Sequence, residues 1–127
     1  MVKPAVVEFL RDEFSSLGLI VEEATNSNRF TVCDSNFVPL KEYYFKMRNS
    51  DSDRGFWGPM KSIIDALLAK PSSEDCTLVL VTDTKIYSLN RADISLIPSN
   101  FKLNGNKQYL IFEEDLVEII NPYSYNL

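Results

Sequence analysis

The stretch Leu40-Lys41-Glu42-Tyr43-Tyr44-Phe45-Lys46-Met47-Arg48 passes through Asn49–Arg54 into Gly55-Phe56-Trp57-Gly58-Pro59-Met60-Lys61-Ser62-Ile63-Ile64-Asp65-Ala66-Leu67-Leu68-Ala69-Lys70. It reads as strand, loop and helix. Alternation puts Tyr43, Phe45 and Met47 on one face and Glu42, Tyr44, Lys46 and Arg48 on the other, the period of a half-buried strand. Met60, Ile63, Ile64, Leu67 and Leu68 then recur at helical spacing. Pro59 suits a first helical turn, where its missing N–H costs nothing, and Pro71 stops the helix.

Toward the N-terminus, Val6, Phe9, Leu10, Phe14 and Leu17 form an apolar stripe that predicts a helix from about Pro4 to Leu17, ended by Gly18. Leu19 to Ala24 and Arg29 to Cys33 read as strands separated by the turn Thr25–Asn28, and the link Asp34–Pro39 is short enough to return the second antiparallel onto Leu40–Arg48. Beyond the helix, Leu78-Val79-Leu80-Val81 lacks alternation, as expected of a central strand covered on both faces, so Cys76 to Thr82 is placed inside the sheet. Lys85 to Leu89 follows as another strand, and Arg91 to Ile97 as a short helical turn closed by Pro98. Phe101–Leu103 and Gln108–Phe112 flank Asn104-Gly105-Asn106-Lys107, a hairpin signal. Glu113, Glu114 and Asp115 stand at the start of a final short helix, where acids are favourable.

The whole, residues 1–127, is expected to be a single domain, since a chain of this length with 45% hydrophobic residues can bury roughly two-thirds of its unfolded surface. A net charge of −5 argues against coating nucleic acid or anionic membrane by bulk electrostatics, though not against a local basic patch. The absence of histidine removes serine–histidine and cysteine–histidine catalysis and histidine-bound zinc. Cys33 and Cys76 lack C-x-x-C spacing and read as reduced core residues. The N-terminal stretch lacks the pattern of a signal peptide and no apolar run approaches a membrane span, so a cytoplasmic location without a membrane partner is expected.

The order helix, three strands, helix, strand over Pro4 to about Leu89 resembles the restriction-endonuclease-like nucleases, the PD-(D/E)XK domains. Tyr44-Phe45-Lys46 stands where such families carry an acid-x-Lys motif on the third strand. The resemblance implies an α/β fold: a mixed β-sheet flanked by helices, with a restriction-endonuclease-like core (helix, three-strand meander, helix, strand), here followed by a C-terminal hairpin and short helix. It also implies carboxylates holding a divalent metal such as Mg beside Lys46, which would help place the attacking water.

The hairpin register tests that implication. Keeping the apolar faces together pairs Phe30 with Phe45 and Val32 with Tyr43, and so sets Arg29 opposite Lys46, Thr31 opposite Tyr44 and Cys33 opposite Glu42. The motif's acid position is then Tyr44, the preceding strand offers Asn28 or Arg29 where an aspartate is wanted, and the metal site reads as dismantled. No cofactor is expected unless migrated acids rebuild a divergent catalytic set of Lys46, Glu42 and Glu22 or Glu23, with Glu8 and Glu13 as further candidates. The polar face instead collects Arg29, Lys46 and Arg48, with Arg54 in the following loop and Trp57 beyond it: a candidate nucleic-acid contact. The alternative for this face is a solvated surface on which Glu42 or an acid from elsewhere offsets the cations.

Other features weigh toward structure. Asp51 and Asp53 lack the glycine and distal glutamate of an EF-hand. Phe56 and Trp57, between Gly55 and Gly58, can stack a base or fill a partner's pocket, which leaves a non-enzymatic protein-interaction module as the competing function; a core role for at least one of the two rings is the simpler reading. The tail carrying Tyr123 and Tyr125 can dock on the body or on another copy in a homo-oligomer.

Overall fold

A computed structural model describes residues 11–23, 29–47, 55–82, 85–119 and 122–124. Residues 11–16 are helical (α1), and Gly18 ends this segment at φ 78°, a left-handed conformation open to glycine at no steric cost. Then follow β1 (Ile20–Glu23), β2 (Arg29–Cys33), β3 (Pro39–Met47), β4 (Phe56–Trp57), α2 (Lys61–Leu68), β5 (Asp75–Val81) and β6 (Lys85–Leu89). The chain closes with α3 (Arg91–Ser95), α4 (Ile97–Asn100), β7 (Ile111–Phe112), α5 (Glu113–Ile119) and β8 (Pro122–Ser124). The architecture is α/β, a mixed sheet flanked by helices, with strand order β1-β2-β3-β5-β6-β8. β1, β2 and β3 form an antiparallel meander, β5 runs parallel to β3, and β6 and β8 return antiparallel.

The meander register differs from the expected one by two residues: Phe30 pairs with Tyr43 and Thr31 with Glu42, so Arg29 lies opposite Tyr44 rather than Lys46. The cause is local. Asp34 Oδ1 accepts from the Asn36 and Val38 amides at 2.8 and 3.0 Å, Phe37 takes φ 62°, and a bulge between Val32 and Cys33 absorbs Leu40. From Arg29 to Val32 the slip is even, so Glu42, Tyr43 and Tyr44 keep the faces expected of them, whereas at the bulge Cys33 pairs with Pro39 instead of the expected Glu42.

Those faces bury two cores. On one side Val32, Phe45, Val79, Val81 and Ile86 pack with Phe14 of α1, Leu19, Val21, Tyr43 and Met47. On the other, Leu78, Leu80, Tyr87 and Leu89 of the sheet meet Ile64 and Leu67 of α2 together with Trp57, Ile94 and Ile97. β5 is thus covered on both faces, as its unbroken apolar run requires.

Three boundaries move from their expected places. Pro59 lies before α2 rather than in its first turn, because the Pro59 carbonyl accepts from the Tyr109 amide and Met60 forms a bridge with Gln108. Pro98 opens α4 instead of closing the helical turn before it. The expected 101–112 hairpin is reduced to a Leu103–Tyr109 bridge, since the returning segment pairs with 55–60 and forms the small β4–β7 sheet. Asn104 Oδ1 closes that loop on the Asn106 and Gln108 amides, and Lys107 rather than Gly105 takes positive φ. Toward the C-terminus, β8 docks its backbone on β6, which places Pro122–Ser124 on the body; Tyr125 lies outside the described residues.

Candidate nucleic-acid interface

The β3 face carrying Glu42, Tyr44 and Lys46 is the α2 side of the sheet, not a free outer surface. In the rows set by the register, Glu22, Thr31, Glu42 and Cys76 lie side by side across β1, β2, β3 and β5. The next row holds Arg29, Tyr44, Leu78 and Leu89, and the one after holds Lys46, Leu80 and Tyr87. Exposure rises along each row. Cys76, Leu78 and Leu80 are buried beneath the helices, Tyr44 and Lys46 are half-buried, and Glu22 and Arg29 are exposed. α2 therefore covers the β5–β6 half, and over β1–β3 the described residues leave this face partly open.

Glu42 is the anomaly. Its side chain is 5% exposed, and a buried carboxylate demands partners. Among the described residues it has two: Arg29 Nε at 3.5 Å from β2, and Lys70 Nζ at 3.0 Å from the turn after α2. Lys70 also lies 3.9 Å from Glu74. Glu42 does offset cations of this face, as the solvated-surface alternative expects, but it does so from a buried position.

Lys70 is held in place from below. The Arg91 guanidinium donates to the carbonyls of Lys70, Pro71 and Glu74 at 2.7, 3.1 and 2.8 Å, satisfying backbone acceptors beyond the C-terminus of α2. Cys76, beside Glu42, has its thiol pushed up by burial, an effect that Arg91 partly opposes. Burial likewise raises the Tyr44 phenol, with the Arg29 charge pulling the other way.

Lys46 stands four residues along β3 from Glu42, about 13 Å at the usual strand rise, with Tyr44 between them. The two are not brought together. Of the other acids proposed for a catalytic set, Glu22 shares the row of Glu42, and Glu23 is paired with Phe30, in a different row. Glu13 is exposed on α1, which packs on the opposite side of the sheet through Phe14. Glu8 lies outside the described residues, as do Arg48 and Arg54. Among the described residues no three His, Cys, Asp or Glu side chains are grouped to hold a metal ion.

Trp57, placed at the interface by its neighbours in sequence, is a core residue. Its ring meets Tyr87 edge-on at 5.6 Å and its Nε1–H donates to the Val81 carbonyl at 3.2 Å. Phe56 is half-buried and packs on Phe112 at 5.5 Å. The Gly55–Gly58 segment thus joins the small sheet to the large one and offers no exposed tryptophan.

The site that results contains Arg29, Tyr44, Lys46 and Lys70, with Glu42 beneath. Sequence reasoning missed Lys70, although a signal existed. A helix connecting two parallel strands must run back against them, which sets its C-terminal end over the N-terminal part of β3, where Glu42 lies.

Compared with known proteins, the chain matches no family model, no curated protein and no solved structure. No described helix is long and apolar enough to cross a membrane.

Proposed function

We propose that this protein binds nucleic acid non-catalytically on a restriction-endonuclease-like core. The fold part of the reading rests on element order: a helix, an antiparallel meander of three strands, a helix, and a strand parallel to the third. The function rests on one observation. On a chain of net charge −5, the partly open half of a sheet face carries Arg29 on β2 and Lys46 on β3, and Lys70 joins them from the turn after α2 through its 3.0 Å contact with Glu42. Glu42 neutralises part of that charge, so binding is weak and salt-sensitive. Catalysis is not part of the proposal, because the lysine of the would-be motif and the buried carboxylate sit about 13 Å apart along one strand.

Fluorescence anisotropy with short labelled DNA and RNA across a salt series tests the reading. Wild-type protein is expected to bind at low salt. Lys46→Ala and Lys70→Ala should each lower the log–log salt slope by about 0.7–0.9, one phosphate contact apiece. No binding to either polymer at low salt overturns the proposal. Magnesium-dependent cleavage abolished by Lys46→Ala with binding intact would replace it with a divergent nuclease.

A further inference from the structure

Building on that reading, we infer that the ligand is a single strand, laid along β3 with a base against Tyr44 and phosphates at Lys46 on one side and at Arg29 and Lys70 on the other. Three observations carry the inference.

The first is shape. Arg29 and Lys46 lie on strands of a sheet face and Lys70 in the turn after α2, none of them on a helix or ribbon free to enter a groove, and the major groove of a duplex is read by an element that enters it. A flexible single strand can follow such a face along β3, which a stiff duplex cannot.

The second is the aromatic between the charges. Tyr44 is half-buried, packed against the α2-side core, and neighboured by Arg29 across the β2–β3 pair. Cations flanking an aromatic on a sheet surface is the recipe for single-strand binding, since only unpaired bases have free faces to stack.

The third is the charge balance. Glu42 offsets Arg29 and Lys70, so phosphate attraction alone is modest; stacking supplies affinity that does not depend on net charge, and a paired base cannot provide it. The span from Glu42 to Lys46, about 13 Å, suits a contact of a few nucleotides.

The full chain is titrated with a labelled 12-nucleotide strand and with the same strand annealed to its complement, at low salt. The single strand is expected to bind at least tenfold more tightly. Tyr44→Phe, which keeps the ring, should stay within twofold of wild type; Tyr44→Leu, which keeps apolar bulk but removes the stacking surface, should lose roughly tenfold for the strand and leave the duplex unchanged. Equal or tighter duplex binding by the wild-type protein overturns the inference and leaves the nucleic-acid reading intact. So does undiminished strand binding by a Tyr44→Leu protein with native circular dichroism. Binding to neither form removes both. The wild-type strand-to-duplex ratio decides the matter even where Tyr44→Leu fails to fold.

Discussion

Replacing Glu42 by glutamine removes one charge from a buried position and leaves shape and an acceptor oxygen behind. In the native protein that carboxylate meets Lys70 at 3.0 Å and Arg29 at 3.5 Å. Breaking a fully buried ion pair costs about 3–5 kcal/mol, because the abandoned charge has nowhere to go. Here the abandoned charges do have somewhere to go: the Lys70 and Arg29 side chains are 29% and 43% exposed, and both rehydrate on release. The expected loss for Glu42→Gln is therefore smaller, about 1–2 kcal/mol, after discounting for solvent screening. Urea unfolding followed by Trp57 fluorescence measures it, with an unchanged m-value showing that only stability moved. Glu42→Gln combined with Lys70→Met should be non-additive by roughly 0.5–1 kcal/mol, the coupling of the one pair both changes remove. A single-variant effect below about 0.3 kcal/mol, or a coupling of zero, would refute the argument that this carboxylate is a buried tie between β2, β3 and the end of α2.

Ile64, fully buried between α2 and the sheet, should cost about 2–5 kcal/mol on replacement by alanine; a loss below about 1 kcal/mol in denaturant titration would show that α2 does not seal this core. Trp57 fluorescence should resist acrylamide quenching in the native state and yield to it on unfolding, and native quenching as efficient as that of the unfolded chain would place the ring on the surface. Burial raises the thiols of Cys33 and Cys76 above their ordinary value of 9.0, so the folded state holds protons that the unfolded state releases. This contribution is fully present below pH 9 and falls as pH rises beyond it. Replacing both cysteines by alanine should flatten stability between pH 8.5 and 10 relative to wild type; identical pH slopes would rule the thiols out as its source.

Much of the fold was legible because periodicity reports burial directly. The alternation of Tyr43, Phe45 and Met47, the unbroken Leu78–Val81 run and the helical stripe of Ile63, Ile64 and Leu67 each specify an element and its buried face. The meander register was not legible, since it depends on how the Asp34 side chain closes its turn and where the bulge falls. Nor was β4, two residues long and too short to show any period. The site was half legible. Arg29 and Lys46 follow from alternation, whereas the burial of Glu42 depends on Lys70, a residue remote in sequence that reaches it only through the path of α2. Alternation separates two faces but does not say what covers each. For that reason the sequence leaves Glu42 on a face whose cover it does not specify, and leaves Trp57 open to a ligand contact beside the core role that is its simpler reading.

The parallel junction between β3 and β5 has a kinetic consequence. β1, β2 and β3 are joined by connections of a few residues, as are β5 and β6, so each group can pair early and locally. β3 and β5 meet only after the long crossover through α2 has closed, a non-local event that is slow on entropic grounds. The sheet is therefore expected to assemble as two local ribbons that zip together along one line, with the tie from Glu42 to Lys70 forming as that line shuts. Amides of β5 that bond to β3 should gain protection from hydrogen exchange later in refolding than those joining β1 to β2, and simultaneous protection would show instead that the two ribbons never exist apart.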